Sequence, residues 1–455
     1  MNDSEKLRGE RTQNRHDVYD NKIPKRVPVQ VSLGIPILAE YGKTDRKSAY
    51  WDPSLLRAAA EELCALIPSD TCLYGGTVYT PVSSQTLDSI NKVMSDKGYM
   101  QHPNTECMNE DEYDELIADP YAFIIEKCVP RVYKNLNTEL NPGRFIFVLM
   151  QEAVMKQKLA QKEMQMISEL YQKFGYPSGD YGSYSRAPMD WIADQLRSFS
   201  GICVDIRRQR SKVAEALDAV TPMLYKVGLF GDFENSNRYS SVGFQLHMAT
   251  YLREKDFAEV FLPSWKRMAD DYASAGIRSN SFLEHDWTRL LDYVYDFPTG
   301  SHFSFEFTDA KLIKEKLGGK HILSGGFPLQ NLTLCTKQEV ISKTKEWLDI
   351  MAPGGQYIFG FDKGAMAMSD INIENLTAVC ETVRDYGVYD NPGTPTGEIF
   401  DKNDYIHSGT PEFRSKYFIE WEDYIKKFPN TPDNAEPLVM YGENEMFSLL
   451  FGMSC

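Results

Sequence analysis

The sequence lacks several features that would place it in a specialised class of protein. It has no apolar run close to the roughly 20 residues needed to cross a bilayer, and its N-terminal stretch is polar and charged. Its cysteines are scattered without a Cys-x-x-Cys pair, which argues against a structural zinc or a disulfide framework. These absences predict a soluble cytoplasmic protein whose cysteines are free thiols.

Positive charge is also in short supply. Lys and Arg number 49 against 65 Asp and Glu, so the formal net charge is −16. Nucleic-acid backbones and anionic membranes both require a cationic surface, so we expect neither as a partner. No Gly-x-Gly-x-x-Gly follows a predicted strand, which removes the main reason to expect a Rossmann domain.

What the sequence does contain is a strand, loop and helix pattern that repeats in its second half. Short apolar or alternating runs predict strands at 242–247, 281–283, 301–307, 321–323 and 357–361. Helical periodicity follows them, with Asp309 and Thr336 as N-caps and Glu339 completing a capping box. This repeated order of strand, loop and helix predicts an α/β fold with parallel strands and helical crossovers. Polar residues at the strand ends favour a TIM (β/α)8 barrel.

The two ends of the chain differ in composition from this central part. We expect a flexible or helical N-terminal arm at 1–23, the barrel at 24–389, and a C-terminal extension at 390–455 rich in Pro, Asn, Asp and Gly. The extension should hold an amphipathic helix at 412–428. Its apolar tail, 446–453, should pack on the barrel or on another subunit, which predicts a homodimer.

Two predictions concern the first half of the chain. The run at 145–150, FIFVLM, is short and apolar, so it predicts a buried strand or a buried helical turn before a helix at 151–174. The loop at 176–188 is rich in Gly, Ser, Tyr and Pro, and it is suited to close approach by a ligand or another chain. An ordinary connection whose tyrosines pack is the alternative.

Three ionisable residues, Glu284, His285 and Asp286, follow the predicted strand that ends at Leu283. In an extended chain Glu284 and Asp286 share one face. Carboxylates crowded at the end of a buried strand predict ligand binding, so we take all three as candidate catalytic residues. For Asp286 the alternative is an N-cap on a helix at 287–295.

Five further residues are candidates for substrate binding. They lie in the loop at 176–188 or just after predicted strands: Tyr184, Arg186, Trp287, Asp362 and Lys363.

Two segments resemble the uroporphyrinogen decarboxylase superfamily. They are YSRAPMDWIADQLRSFSGICVDIRR at 184–208, and the stretch 317–389 with LGGKHILSGGFPL, GGQYIF and NIENLTAVCETVRDYGVY. The second is more specific, because a GGQYIF strand, a loop and an NIENL helix start occur in that order. The resemblance covers about 24–389 and implies a TIM barrel.

The superfamily contains decarboxylases and methyltransferases. The decarboxylases carry an N-terminal segment resembling Arg-Gln-Ala-Gly-Arg-Tyr, whereas this chain has RVPVQVSLGIPILAEYGK without such an arginine pair. Eight substrate carboxylates are costly to desolvate without cations. The resemblance therefore favours the branch that moves a methyl group between a corrinoid and an acceptor.

The resemblance also bears on metal binding. Zinc-containing members of that branch use His-x-Cys at the strand end where this chain has Glu284 and Asp286, and a later Cys near Asp362 or Lys363. A thiolate zinc site is not supported. His247, Glu284 and Asp286 could still hold a divalent metal such as zinc, or the carboxylates could act without one. A backbone-bonded histidine at a strand end is the alternative for His247.

The cofactor expected from the resemblance is a corrinoid, methylcobalamin, carried by a partner corrinoid protein. This chain has no Asp-x-His-x-x-Gly cobalamin signature of its own. A small molecule would give or accept the methyl group. The alternative is a decarboxylase for a tetrapyrrole or another acid, with Arg186, Arg207, Arg208 and Arg210 replacing the missing arginines. A non-catalytic scaffold is a third possibility, against which the polar strand ends argue.

Overall fold

The computed structural model describes residues 3–76, 80–103, 105–140, 142–180, 182–230 and 236–453, and its architecture is α/β. At its centre is a six-stranded parallel sheet whose neighbours follow chain order. The strands of this sheet are β3 Gly182–Tyr184, β4 Ser241–Leu246, β5 Arg278–Leu283, β6 His302–Phe305, β7 Ile322–Gly325 and β8 Tyr357–Ile358. A separate antiparallel pair consists of β1 Val93–Met94 and β2 Met100–Gln101.

Helices connect the parallel strands, as parallel neighbours require. Before β3 the α-helices are α1 Asp3–Tyr19, α2 Ile35–Tyr41, α3 Arg46–Trp51, α4 Arg57–Leu66, α5 Pro81–Thr86, α6 Tyr113–Ala118, α7 Pro120–Phe123, α8 Val129–Val132 and α9 Phe145–Phe174. After β3 they are α10 Pro188–Trp191, α11 Phe199–Arg208, α12 Arg210–Gly228, α13 Glu254–Asp256, α14 Leu262–Ser274, α15 Leu291–Tyr295, α16 Ala310–Leu317, α17 Asn331–Leu334, α18 Lys337–Met351, α19 Ile373–Tyr386, α20 Trp421–Lys427 and α21 Glu436–Gly452.

Two extended segments near the N-terminus continue the sheet beyond β8. Val29 forms a parallel bridge with Phe359, and Leu33 forms one with Tyr74. Within the described ranges no pairing joins the segment of Tyr74 to β3, at the opposite edge of the sheet. The observed unit is therefore a parallel sheet with two bridged segments, packed among helices.

Side chains alternate between the two faces of the strands. Phe244 of β4 packs against Tyr272 of α14, whereas Gln245, Ser304 and Ser324 line a cavity on the other face. An apolar face toward the helices and a polar face toward a cavity explain why these strands are less apolar than those of many parallel sheets.

Most predictions for the second half of the chain are confirmed. The predicted strands coincide with β4 to β8 to within a few residues. Asp309 accepts a hydrogen bond from the backbone of Leu312 as an N-cap, and Thr336 with Glu339 forms the predicted capping box. These signals are local, so tertiary packing did not alter them.

Two other predictions need correction, and one strand was missed. The run at 145–150 is neither a strand nor a buried turn: it begins α9, and Ile146, Phe147 and Met150 are more than 60% exposed (69%, 64% and 63%). The short strand β3 was not predicted. The predicted helix at 412–428 is formed only at Trp421–Lys427.

Both ends of the chain dock on the rest of the molecule. Arg8 and Arg11 of α1 donate hydrogen bonds to backbone carbonyls at the end of α9. In α21, Phe447 and Phe451 are buried, and the Tyr133 hydroxyl donates to the carbonyl of Met453. The apolar tail therefore packs on its own chain, and the homodimer stays a prediction.

Two predictions concern features that the sequence lacks, a membrane-spanning helix and paired cysteines. None of the helices in the described ranges combines the length and apolar character needed to cross a membrane. The seven cysteines in those ranges are free thiols, and Cys455 lies outside the described residues.

Candidate functional site

His247 and Glu284 meet where β4 and β5 end. The two strands pair Gln245 with Phe282 and Leu246 with Leu283, so the next pair in register is His247 and Glu284. Nδ1 of His247 donates a hydrogen bond to the Glu284 carboxylate. The His247 side chain is 33% exposed and that of Glu284 27%, so both are open to a ligand.

The helical segment after β3 adds two carboxylates that sequence reasoning missed. Asp190 and Asp194 are four residues apart, so they lie on the same helical face. Asp194 Oδ2 lies 3.7 Å from His247 Nε2. Asp190 Oδ1 accepts hydrogen bonds from the backbone N–H groups of His247 (3.1 Å) and Met248 (2.7 Å). The Asp-x-x-x-Asp spacing within 184–208 is the sequence feature that could have indicated these two carboxylates.

The pKa values at this cluster are displaced in opposite directions. Burial disfavours charge on His247, but the bond to Glu284 and the charges of Asp194 and Asp190 outweigh it and raise the pKa of His247 to about 9. The same bond lowers the pKa of Glu284. Burial, together with the charge of Asp194, raises the pKa of Asp190 to about 7. At neutral pH His247 is therefore an imidazolium held by carboxylates.

His285 lies next to this cluster, with its Nε2 3.9 Å from Glu284 Oε1, and it has two further partners. Its backbone has φ 65, so the chain turns at this residue and the strand alternation ends. Its backbone N–H donates a hydrogen bond to the Glu306 carboxylate (2.8 Å), and its ring Nε2 lies 2.8 Å from the Tyr251 hydroxyl. The turn explains why Glu284 and Asp286 do not share a face.

Asp286 is turned toward Thr288, and its predicted catalytic role stays a prediction. This residue is exposed, and its Oδ1 accepts hydrogen bonds from the backbone N–H (2.9 Å) and the hydroxyl (2.6 Å) of Thr288. This contact is an Asx turn, whereas the N-cap of Thr288–Leu290 is Trp287 without a side-chain cap, so the N-cap considered from the sequence is not formed by Asp286.

The predicted substrate-binding role of Trp287 is also corrected. Its side chain is fully buried against Phe257 and Trp265. Its Nε1–H donates to the Glu284 carbonyl (2.9 Å), so it supports the backbone that carries Glu284.

The predicted set of metal ligands is not assembled. Nδ1 of His247 is bonded to Glu284, and Asp286 is turned toward Thr288. Over the described ranges, no three His, Cys, Asp or Glu side chains are grouped so that they could hold a metal ion. The residues present therefore do not fit a zinc site.

A cavity of about 330 Å³ is lined by residues near the ends of β4 and β5. Gln245 and Phe282 belong to its wall, each two residues before a member of the His247–Glu284 pair. The rest of the wall combines serine hydroxyls with apolar side chains from the neighbouring strands and helices. The strands that lead to His247 and Glu284 therefore also form part of a mixed polar and apolar cavity.

Of the other four predicted substrate-binding residues, two line this cavity and two contact residues near it. Asp362 and Lys363 belong to its wall. Asp362 accepts a hydrogen bond from the Leu329 backbone (2.9 Å), and burial raises its pKa. The Tyr184 hydroxyl donates to Gln245 (3.1 Å). An Arg186 nitrogen lies 3.5 Å from Asp194.

The arginines proposed to replace the missing decarboxylase pair do not gather here. Arg207 and Arg208 are exposed on α11, and Arg210 pairs with Asp256 and Glu259. Of the four arginines considered, Arg186 alone is at the site.

Residues 239–386 match the family model described as uroporphyrinogen decarboxylase (URO-D). The match covers about a third of the chain and contains His247, Glu284 and Asp362. It confirms the similarity to the uroporphyrinogen decarboxylase superfamily for the motifs within 317–386, whereas the segment 184–208 lies outside the match. A search of the curated proteins finds no match.

Proposed function

From the similarity of residues 239–386 to this enzyme superfamily, we propose that the chain is an enzyme of its methyltransferase branch. It would move a methyl group between a small molecule and a corrinoid carried by a partner protein. The observation that supports this best is the imidazolium of His247 bonded to Glu284 and facing Asp194, at the open end of two parallel strands.

We also propose that the sheet closes into a (β/α)8 barrel. Six strands in chain order, continued by the bridged segments of Val29 and Tyr74, make eight parallel segments. The 330 Å³ cavity is lined both by Gln30 from the first of these and by Gln245 from β4. Segments so distant in a flat sheet share one cavity if the sheet curves round it. The site would then lie at the carboxyl end of the barrel.

His247 is suited to act as a general acid in such a reaction. When a methyl group leaves an oxygen or a nitrogen, the leaving atom needs a proton. A pKa of about 9 keeps His247 protonated at neutral pH, so that it can provide this proton. Glu284 and Asp194 would hold the ring, and Asp190 would hold its backbone. The corrinoid, when brought by its carrier, supplies the cobalt that takes or gives the methyl group.

The charges around the site are mixed and do not select a substrate by themselves. Burial raises the pKa of Asp190, Asp194 and Asp362, whereas Arg186, Lys363 and the His247 imidazolium are cationic. A cavity of about 330 Å³ suits a small ligand better than a tetrapyrrole.

The test uses the purified full-length protein with methylcobalamin and a candidate acceptor, tetrahydrofolate, and separately with cobalamin reduced to the Co(I) state and candidate donors, methylamines and methoxylated aromatic compounds. Methyl transfer changes the absorption spectrum of cobalt, so we expect that change with at least one compound and its loss in His247→Gln. Asp286→Asn is the matched control, since the Asn carbonyl can also accept the hydrogen bonds from Thr288 and the residue lies outside the cluster.

Two results would contradict the proposal. An unchanged cobalt spectrum with every compound would remove the basis for methyl transfer. Release of carbon dioxide from carboxylated tetrapyrroles would instead support the decarboxylase alternative.

A further inference from the structure

The first half of helix α9 extends beyond the carboxyl edge of the sheet. The Tyr74 hydroxyl, at the carboxyl end of its segment, donates to Glu163 of α9 (2.5 Å). At the other end of that segment, Arg11 links Asp70 to the end of α9. The helix therefore runs antiparallel to the segment, and residues 145–162 continue past Tyr74 for roughly 25 Å at 1.5 Å per residue.

This projecting half carries an apolar stripe, defined here as Ile146, Phe147, Met150 and Val154. The four side chains are 69%, 64%, 63% and 65% exposed. At 100° per residue they fall within one arc of about 100°, and the opposite face is buried through Val148, Glu152 and Leu159. Isolated exposed apolar residues are ordinary, but a contiguous stripe indicates an interaction surface.

The charge beside the stripe is opposite to that of the whole chain. Arg144 and Lys158 lie along one border of the stripe and are exposed, and Lys162 continues that border but is paired with Asp52 (2.9 Å). Between residues 144 and 162 the sequence has one acidic residue, Glu152, which is buried. A basic border on a chain with a formal net charge of −16 is complementary to an acidic partner.

We propose that the stripe is the docking surface for the protein that carries the corrinoid, and that this carrier presents an apolar patch edged by acidic residues. The inference rests on the proposed function, which requires a carrier to reach His247 and Glu284. The stripe lies on the side of the sheet where these residues are found, so a protein bound to it approaches the site. A symmetric antiparallel contact between two copies would instead place the basic border of one copy against that of the other.

The test measures binding of a small acidic corrinoid-binding protein, loaded with methylcobalamin, to the full-length chain. We expect the double variant Phe147→Ser/Met150→Ser to weaken binding about tenfold or more, because two large side chains at the centre of the stripe are lost. Lys158→Glu should weaken binding at low salt and have less effect at high salt. Ile406→Ser, at a side chain 87% exposed elsewhere, and Lys343→Glu, on α18, are the matched controls.

Methyl transfer from free methylcobalamin separates this inference from the proposed function. The stripe variants should transfer from free methylcobalamin at the wild-type rate and transfer from the carrier at least about tenfold more slowly. If wild type binds the carrier through the stripe but never transfers a methyl group, the proposed function fails and the docking surface stands.

Three outcomes would overturn the docking proposal: no binding of the carrier by wild type, equal binding by wild type and the double variant, or a dimer in light scattering that the double variant dissociates. The last would make a second copy the occupant.

Discussion

Replacing Glu284 with Gln tests whether the carboxylate tunes His247. Gln is nearly isosteric, and its carbonyl can still accept the hydrogen bond from His247 Nδ1, so the substitution removes mainly a charge. Asp194 and Asp190 remain, so only part of the elevation of the His247 pKa should be lost. We expect the pKa to fall from about 9 by about one pH unit, equivalent to about 1.4 kcal/mol before solvent screening.

Because the His247 side chain is about one-third exposed (33%), screening should reduce the effect on folding to about 1 kcal/mol or less. A histidine whose pKa is raised on folding contributes stability that is complete below its unfolded value of 6.5 and is lost as pH rises through about 9. Wild type and Glu284→Gln should therefore differ most in stability near pH 6. They should converge above about pH 9.

Three measurements check this prediction. NMR titration of the His247 ring gives its pKa, denaturant unfolding at pH 6 and pH 10 gives the stability difference, and the cobalt-spectrum assay gives turnover. Turnover should fall by about a hundredfold, because the proton donor is no longer held or tuned. Asp286→Asn, two residues away, should leave all three unchanged.

Two results would refute the reasoning. If Glu284→Gln unfolds, or loses several kcal/mol at every pH, the carboxylate is structural. If turnover and the His247 titration are unchanged, the bond between the two side chains has no role in the chemistry.

Further predictions concern Asp190, the C-terminal helix and oligomeric state. Asp190→Ala should cost about 2 kcal/mol, since two backbone N–H groups lose their acceptor, and Asp190→Asn should cost less in the same denaturant unfolding assay. A buried acid whose pKa rises to about 7 on folding makes stability fall as pH rises from about 4 to 7, and Asp190→Asn should flatten that slope. Phe447→Ala should cost about 3 kcal/mol, whereas Tyr441→Ala, at a side chain 62% exposed, should stay within about 0.5 kcal/mol. Light scattering should detect a dimer for the full chain, and a form ending at Asn391 tests whether the extension holds it.

Much of the local structure could be predicted from the sequence. The N-cap of Asp309 and the capping box of Thr336 and Glu339 depend on atoms within one helical turn, so neighbouring residues determine them. Neighbouring residues also determine the repeated strands and helices of the second half, because the alternation and the helical periodicity of apolar residues are local sequence patterns. His247 and Glu284 were predicted as site residues because each follows a strand.

The tertiary structure decided which of these side chains meet. The pairing of β4 with β5 brings His247 to Glu284. The crossover after β3, more than 50 residues away in the chain, brings Asp194 to the His247 imidazole and Asp190 to the His247 backbone. No local pattern specifies such contacts, because strand register and helix docking depend on packing across the whole core.

The same reason accounts for the errors. The chain reverses at His285, which has φ 65, so the Asp286 side chain turns away and accepts hydrogen bonds from Thr288. Strand alternation had predicted that Asp286 would face the site. The apolar run at 145–150 was predicted to be buried, but packing buries only one face of α9 and leaves Ile146, Phe147 and Met150 exposed. Hydrophobicity by itself determined that this run would form regular structure. Which of its faces is covered depends on the elements that surround it.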